Sequence, residues 1–167
     1  MKADIYLRPL TIEDATISSK WRNDPEIWVF TKFVSSIYIT PEMERQWIFD
    51  KINLKNEKRF AICLKNTNQY IGNIQLLNIT AESAEFHLFI GERQFWGKGV
   101  GHSASILLLK YAFYNLELNS IFLDVHADNL AAFSIYKKIG FKPIMQSGKF
   151  IKMGIDAKSL KAITLTA

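Results

Sequence analysis

Residues Gln94-Phe95-Trp96-Gly97-Lys98-Gly99-Val100-Gly101 set three glycines at alternate positions between two apolar patterns of different period. Ahead of them, Ala84-Glu85-Phe86-His87-Leu88-Phe89-Ile90 reads as a strand. Behind them, Ile106, Leu107, Leu109, Lys110 and Phe113 mark an amphipathic helix from about Gly99 to Leu116. Glycines in such a turn let the backbone approach a ligand without a Cβ in the way. The open N–H groups and the dipole of a helix start attract phosphate oxygens. Lys98 adds a mobile positive charge and Gln94 a side-chain donor. The turn is not a Walker loop, because Gly97-Lys98 is followed by Gly99 rather than Ser or Thr. It also lacks the final x-x-Gly step of a dinucleotide fingerprint.

Working outward, Ile5-Tyr6-Leu7-Arg8-Pro9 is a short strand. Thr11-Ile12-Glu13-Asp14 opens a helix that runs to about Trp21-Arg22-Asn23-Asp24-Pro25. Thr40-Pro41 starts a second helix, with Met43, Trp47 and Ile48 at helical spacing. Arg59–Lys65 and Gln69–Leu77 form a hairpin around Asn66-Thr67-Asn68. After the long helix come a strand at Ile121–Val125 and a short helix from Asn129 to Ile139 stopped by Gly140. Two closing strands follow at Phe141–Ile144 and Phe150–Ile155. The order β-α-α-β-β-β-α-β-α-β-β, with one embedded strand-helix-strand unit, predicts an α+β fold and excludes a doubly wound dinucleotide fold.

At 167 residues the chain has room for one domain with a substantial core, so a single domain over residues 1–167 is expected. Lys2, Asp4, Arg8, Glu13 and Asp14 break up the apolar character of the first residues, which argues against a signal peptide. No later apolar run approaches the about 20 residues of a membrane span. A cytoplasmic protein that does not engage membranes is expected. Cys63, inside Phe60-Ala61-Ile62-Cys63-Leu64, reads as a small buried hydrophobe. No His, Cys and acid set has metal-ligand spacing, so no metal is expected. The net charge of +5 favours an anionic partner. Its Lys and Arg are scattered rather than gathered into a basic arm, which disfavours nucleic acid; a polyanionic cofactor accounts for the balance.

A second motif lies about thirty residues on. Asn129-Leu130-Ala131-Ala132-Phe133-Ser134-Ile135-Tyr136-Lys137-Lys138-Ile139-Gly140-Phe141 fills every fixed position of N-x-x-A-x-x-x-Y-x-x-x-G-F. Together with Gln94–Gly99, which fits Q/R-x-x-G-x-G/A, it resembles the GNAT superfamily of N-acetyltransferases. Leu7-Arg8-Pro9 and Trp21-Arg22-Asn23-Asp24-Pro25 resemble the branch of ribosomal-protein N-terminal acetyltransferases and amino-sugar acetyltransferases. The resemblance implies a central mixed, mostly antiparallel sheet of about seven strands flanked by four helices. It implies that the strands at 84–90 and 120–125 splay into a slot for acetyl-CoA. Backbone groups of Phe89, Ile90 and Gly91 would bind the pantetheine arm. Trp96, Gly97, Val100, Gly101 and His102 would join Gln94, Lys98 and Gly99 around the pyrophosphate, and Asn129 and Tyr136 would reach the thioester end.

Acetyl transfer to an amine requires a base for the amine and a donor for the departing thiolate. The resemblance assigns the donor to Tyr136. A free phenol (pKa about 10) giving its proton to a thiolate (about 8.5) goes uphill by roughly 2 kcal/mol, so Tyr136 either hydrogen-bonds the thiolate or has a lowered pKa. Glu85 and His87 are the candidate bases, since strand alternation puts both on the face opposite Phe86, Leu88 and Ile90. Glu85 is preferred, because the branch often carries an acid there.

The acceptor would meet Trp21, Arg22, Trp28, Phe30, Lys32 and Phe33, whose aromatic and basic character suits a nucleotide-linked amino sugar or another small amine. A protein or peptide N-terminus is the alternative acceptor. A CoA-binding module without catalysis is the alternative from another class, and a homodimer is left open.

Overall fold

The apolar runs become seven strands in the computed structural model, which describes residues 3–33 and 35–160. Met1, Lys2, Val34 and residues 161–167, among them both ends of the expected single domain, lie outside the described residues. The strands are β1 (Ile5–Pro9), β2 (Lys58–Leu64), β3 (Tyr70–Leu77), β4 (Ser83–Ile90), β5 (Ser120–His126), β6 (Lys142–Ser147) and β7 (Phe150–Asp156). They form one sheet in the order β1-β2-β3-β4-β5-β7-β6. Every neighbouring pair is antiparallel except β4 and β5. The helices are α1 (Ala15–Arg22), α2 (Pro41–Ile52), α3 (Val100–Lys110) and α4 (Leu130–Ile139). The expected GNAT-like α+β architecture is therefore the one observed.

Period-2 alternation divides the core between the two faces of the sheet. Ile62, Leu64, Ile74, Leu76, Phe86, Leu123 and Val125 pack with Val100, Ala104 and Leu108 of α3 and Tyr136 and Ile139 of α4. Ala61, Cys63 and Tyr70 face the other way, onto Ala15 and Trp21 of α1 and Ile48 of α2. Cys63 is fully buried, as expected of a small hydrophobe.

Local signals set most boundaries. The Thr40 hydroxyl accepts from the Met43 N–H with Pro41 in the first turn, and Gly140 closes α4 in the left-handed region at φ +119°. Three expectations shift. Thr11 starts a short 3-10 turn, Ile12–Asp14, that leads into α1. The long helix ends at Lys110 and continues as a π-helical turn, Tyr111–Asn115, instead of running as α-helix to Leu116. On α2, Met43 is exposed while Glu44 takes the inward position one turn before Ile48, so a carboxylate occupies part of the expected apolar face. Arg8 forks onto Asp14 with bonds of 2.8 and 2.7 Å, tying β1 to the entry of α1. Among the described residues no helix is long and apolar enough to cross a membrane.

Candidate active site

β4 and β5 pair only at Ser83–Ser120, Ala84–Ile121 and Glu85–Phe122. Beyond Glu85 and Phe122 the two strands part. β4 stays paired with β3 as far as Ile90, and β5 with β7 as far as His126. The result is a V-shaped gap in the middle of the sheet, its vertex at Glu85 and Phe122.

The register of β3 and β4 decides which backbone groups face this gap. The Gly91 N–H donates to the Ile71 carbonyl at 2.8 Å, so residue 91 is turned toward β3. By the alternation of an antiparallel ladder, Phe89, opposite Asn73, faces β3 as well, whereas Leu88 and Ile90 present their peptide groups to the gap. The Ile90 carbonyl accordingly accepts the Trp96 indole N–H at 2.9 Å. Of the three residues expected to line the pantetheine arm, Ile90 turns its peptide groups to the gap, Phe89 faces β3 and Gly91 has its N–H on Ile71; Leu88, outside that set, faces the gap with Ile90.

At the mouth of the gap, Gly97 and Gly99 adopt φ values of +70° and +76°, and Gly99 is the residue from which α3 springs. A Cβ at Gly97 would meet nothing within 4 Å, so the turn is open on its outer side. Among the described residues the N–H groups of Gly97, Gly99, Val100 and Gly101 have no backbone acceptor. Open amides at the start of an eleven-residue helix fit a pyrophosphate. Lys98 is exposed beside the Phe95 ring, Gln94 is exposed in the turn before it, and His102 lies half-buried in the first turn of α3.

Tyr136 sits on the α3/α4 face of the sheet, 8% exposed, its ring edge-on to Phe86 at 5.7 Å and to Phe141 at 5.7 Å. Burial pushes its phenol well above the ordinary value, because a phenolate would be stranded among apolar rings. That burial speaks for a neutral hydroxyl donor and against a lowered pKa. Asn129 caps α4 through its Oδ1, which accepts the Ala132 N–H at 3.2 Å. Its carbonyl oxygen is thereby committed to the helix end.

Glu85 and His87 lie on the opposite face. His87 Nε2 is 3.0 Å from Glu85 Oε1, and Glu85 Oε2 accepts from Asn78 Nδ2 at 2.8 Å. Carboxylate and imidazole thus form one pair, with Asn78 as the outer anchor. Tyr136 and this pair flank the gap from its two sides.

The chain between α1 and α2 spans the gap on the Glu85–His87 side. Trp28 packs on Phe89 of β4 at 4.8 Å, and Phe30 on His126 of β5 at 5.4 Å. Lys32 Nζ reaches Asp124 of β5 at 2.7 Å. Trp21 lies beneath β4, its indole N–H on Glu92 at 3.1 Å and its carbonyl accepting the Trp28 indole N–H at 2.8 Å. All six residues expected to meet the acceptor therefore lie on this side.

Beside the loop a cleft of about 430 Å³ is lined by Arg22, Asn23, Trp28, Phe33, Ser35 and Tyr38, among others. The Arg22 guanidinium lies 4.3 Å from the Phe33 ring centre, 4.8 Å from Trp47 and 5.8 Å from Trp28. Its Nε is 3.2 Å from Glu44 Oε2, yet the two are misaligned for a hydrogen bond, so both atoms are buried with bonding capacity unused. Desolvation pushes the Glu44 carboxyl up and the Arg22 guanidinium down. Ser18 donates to Glu44 at 2.9 Å.

Asp124, His126 and Glu44 were not foreseen as site residues. Strand alternation alone would have put Asp124 and His126 on one face of β5, but only the β4–β5 register places that face beside Glu85.

The sequence profile of the acetyltransferase (GNAT) domain matches residues 4–142. Among curated proteins the chain is 29% identical over 154 residues to acetyltransferase PseH of Campylobacter jejuni, covering 92% of this chain and 93% of that one. Among solved structures it matches FdhC, described as a nucleotide-linked sugar GNAT, with a TM-score of 0.84 and 20% identity over 99% of this chain and 94% of that one. It also matches the spermidine N-acetyltransferase of Vibrio cholerae in complex with CoA and spermine, with a TM-score of 0.83 and 24% identity, covering 95% of this chain and 98% of that one. At those identities the two structures speak for the fold.

Proposed function

The chain belongs to the GNAT acetyltransferase family and is an acetyl-CoA-dependent N-acetyltransferase, and from that premise we propose that its acceptor is the primary amine of a nucleotide-linked amino sugar. The observation that carries this reading is the Arg22 cleft. A guanidinium walled by Trp28, Phe33 and Trp47 offers a fork for phosphate oxygens and ring faces for a base, next to the gap where the amine must arrive. The description of FdhC as a nucleotide-linked sugar GNAT supports the same class.

Acetyl-CoA supplies an acyl group already activated as a thioester. The amides of Gly97, Gly99, Val100 and Gly101 hold its pyrophosphate, with Lys98, Gln94 and His102 beside it, and the gap-facing peptides of Leu88 and Ile90 align its arm as an added strand would be aligned. Tyr136 meets the sulfur from the α4 side and the amine enters from the Glu85–His87 side. His87 takes the amine proton as the nitrogen bonds to the acetyl carbon, with Glu85 orienting the imidazole. This order reverses the preference for Glu85, because a carboxylate already engaged by Asn78 and His87 serves better to orient than to accept. The carbon–sulfur bond breaks toward Tyr136, whose neutral O–H donates to the thiolate.

Thiol release should be followed at saturating acetyl-CoA over nucleotide-linked amino sugars, spermidine and an alanine-terminated peptide. The nucleotide-linked amino sugars are expected to give the highest kcat/KM. A peptide or spermidine ranking above all of them would refute the assignment.

A further inference from the structure

Glu85 and Phe122 are the last partners before β4 and β5 diverge, so two residues further along each strand His87 and Asp124 look across the gap from opposite arms. Both side chains lie on the face of Glu85. A cleft of about 320 Å³ at the vertex is lined by Asn78, Glu85, Phe122, Asp124 and Lys152, among others. Asp124 therefore stands in the same recess as Glu85, the carboxylate that orients His87.

A primary ammonium already occupies this carboxylate. Lys32 Nζ, from a residue 92 positions upstream, sits 2.7 Å from Asp124 Oδ2 and 4.8 Å from the centre of the Phe150 ring. A carboxylate with an aromatic face beside it is what a protein uses to hold an alkylammonium. Lys152, the register partner of Asp124 on β7, does not take this place; its ammonium lies over Phe122 at 4.9 Å. The loop does not depend on Lys32 alone, since Trp28 on Phe89 and Phe30 on His126 anchor it to both arms. The Lys32 side chain is long and largely exposed, so it can swing away while the loop stays in place.

We infer that Asp124 is the docking group for the acceptor's ammonium and that Lys32 is an internal stand-in which the acceptor displaces. The inference rests on reading the Glu85–His87 face as the acceptor side and is independent of the nucleotide. An ion pair this exposed is weak, so displacing it costs the acceptor only about two- to fivefold in KM.

The test compares Lys32→Met, Asp124→Asn and the double variant, using whichever amine of the panel (nucleotide-linked amino sugars, spermidine, alanine-terminated peptide) turns over fastest, at saturating acetyl-CoA. Lys32→Met should lower the amine KM about two- to fivefold. Asp124→Asn should raise it tenfold or more, because an acceptor seated in the recess shields its ion pair from the water that screens the exposed lysine, and adding Lys32→Met to Asp124→Asn should change nothing further. Calorimetric affinity of the same amines for the CoA-bound protein should follow the same signs and needs no turnover. If the pair only braces the loop, both single variants raise KM together and no amine binds Lys32→Met more tightly, which overturns the proposal. An unchanged amine KM in Asp124→Asn overturns it as well. Should a peptide or spermidine prove the fastest amine, the nucleotide-sugar reading fails while these signs are still read.

Discussion

His87 Nε2 lies 3.0 Å from Glu85 Oε1, two residues along one strand and on one face of it, where the sheet opens. The pair gives the two side chains unequal tasks. His87→Ala is expected to lower kcat by roughly 10²- to 10⁴-fold, the usual range for a lost general base. Glu85→Gln should lower kcat less, because the imidazole remains. Steady-state rates of both variants decide it; a larger loss in Glu85→Gln than in His87→Ala would make the carboxylate the base.

Tyr136 is buried among Phe86 and Phe141, which pushes its phenol upward. A raised phenol pKa keeps the hydroxyl protonated through neutral and mildly alkaline pH, so the donor is present throughout and contributes no alkaline limb below about pH 10. Tyr136→Phe should reduce kcat by roughly 10- to 100-fold, the worth of one hydrogen bond to a charged acceptor, with the acetyl-CoA KM nearly unchanged. Its alkaline limb should coincide with that of the parent enzyme. A limb that moves in Tyr136→Phe would show that the phenol titrates after all.

Gly91 lets β4 cross the Trp21 indole, and a Cβ there would collide with that ring. Trp21 is 4% exposed and bonded to Glu92, so it has no room to retreat. Gly91→Ala should destabilise the fold by about 1–3 kcal/mol or more as an overpacked core site. Thermal unfolding should show the loss as about 2–4 °C per kcal/mol. An unchanged Tm would mean that Trp21 is free to move.

The architecture was legible because its signals are local. Gly97 and Gly99 need the left-handed region, Gly140 ends α4, Pro41 starts α2, and β2 and β3 are short apolar runs separated by the polar turn Asn66-Thr67-Asn68. Both motifs fell at element junctions for the same reason. What escaped depends on register or on contacts distant in sequence. Whether Phe89 or Leu88 turns its peptide to the gap is set by the β3–β4 pairing, which shifts by one residue with no change in composition. Lys32 and Asp124 are 92 residues apart, and nothing near either announces the other. Glu44 looks like a solvated helix residue until α1 brings Ser18 and Arg22 against it.

The reading of the acceptor rests on Arg22, which combines a guanidinium with three ring faces at the edge of the gap. The most direct measurement is the ratio of kcat/KM for a nucleotide-linked amino sugar to that for the same sugar without its nucleotide, in the parent enzyme and in Arg22→Lys. Lysine keeps the charge but loses the fork and the stacking plane. The parent ratio is expected to exceed roughly 10², as phosphate and base contacts of a few kcal/mol require, and to collapse by at least tenfold in Arg22→Lys. A parent ratio near one, or a ratio that Arg22→Lys leaves unchanged, would contradict the assignment of this cleft to a nucleotide.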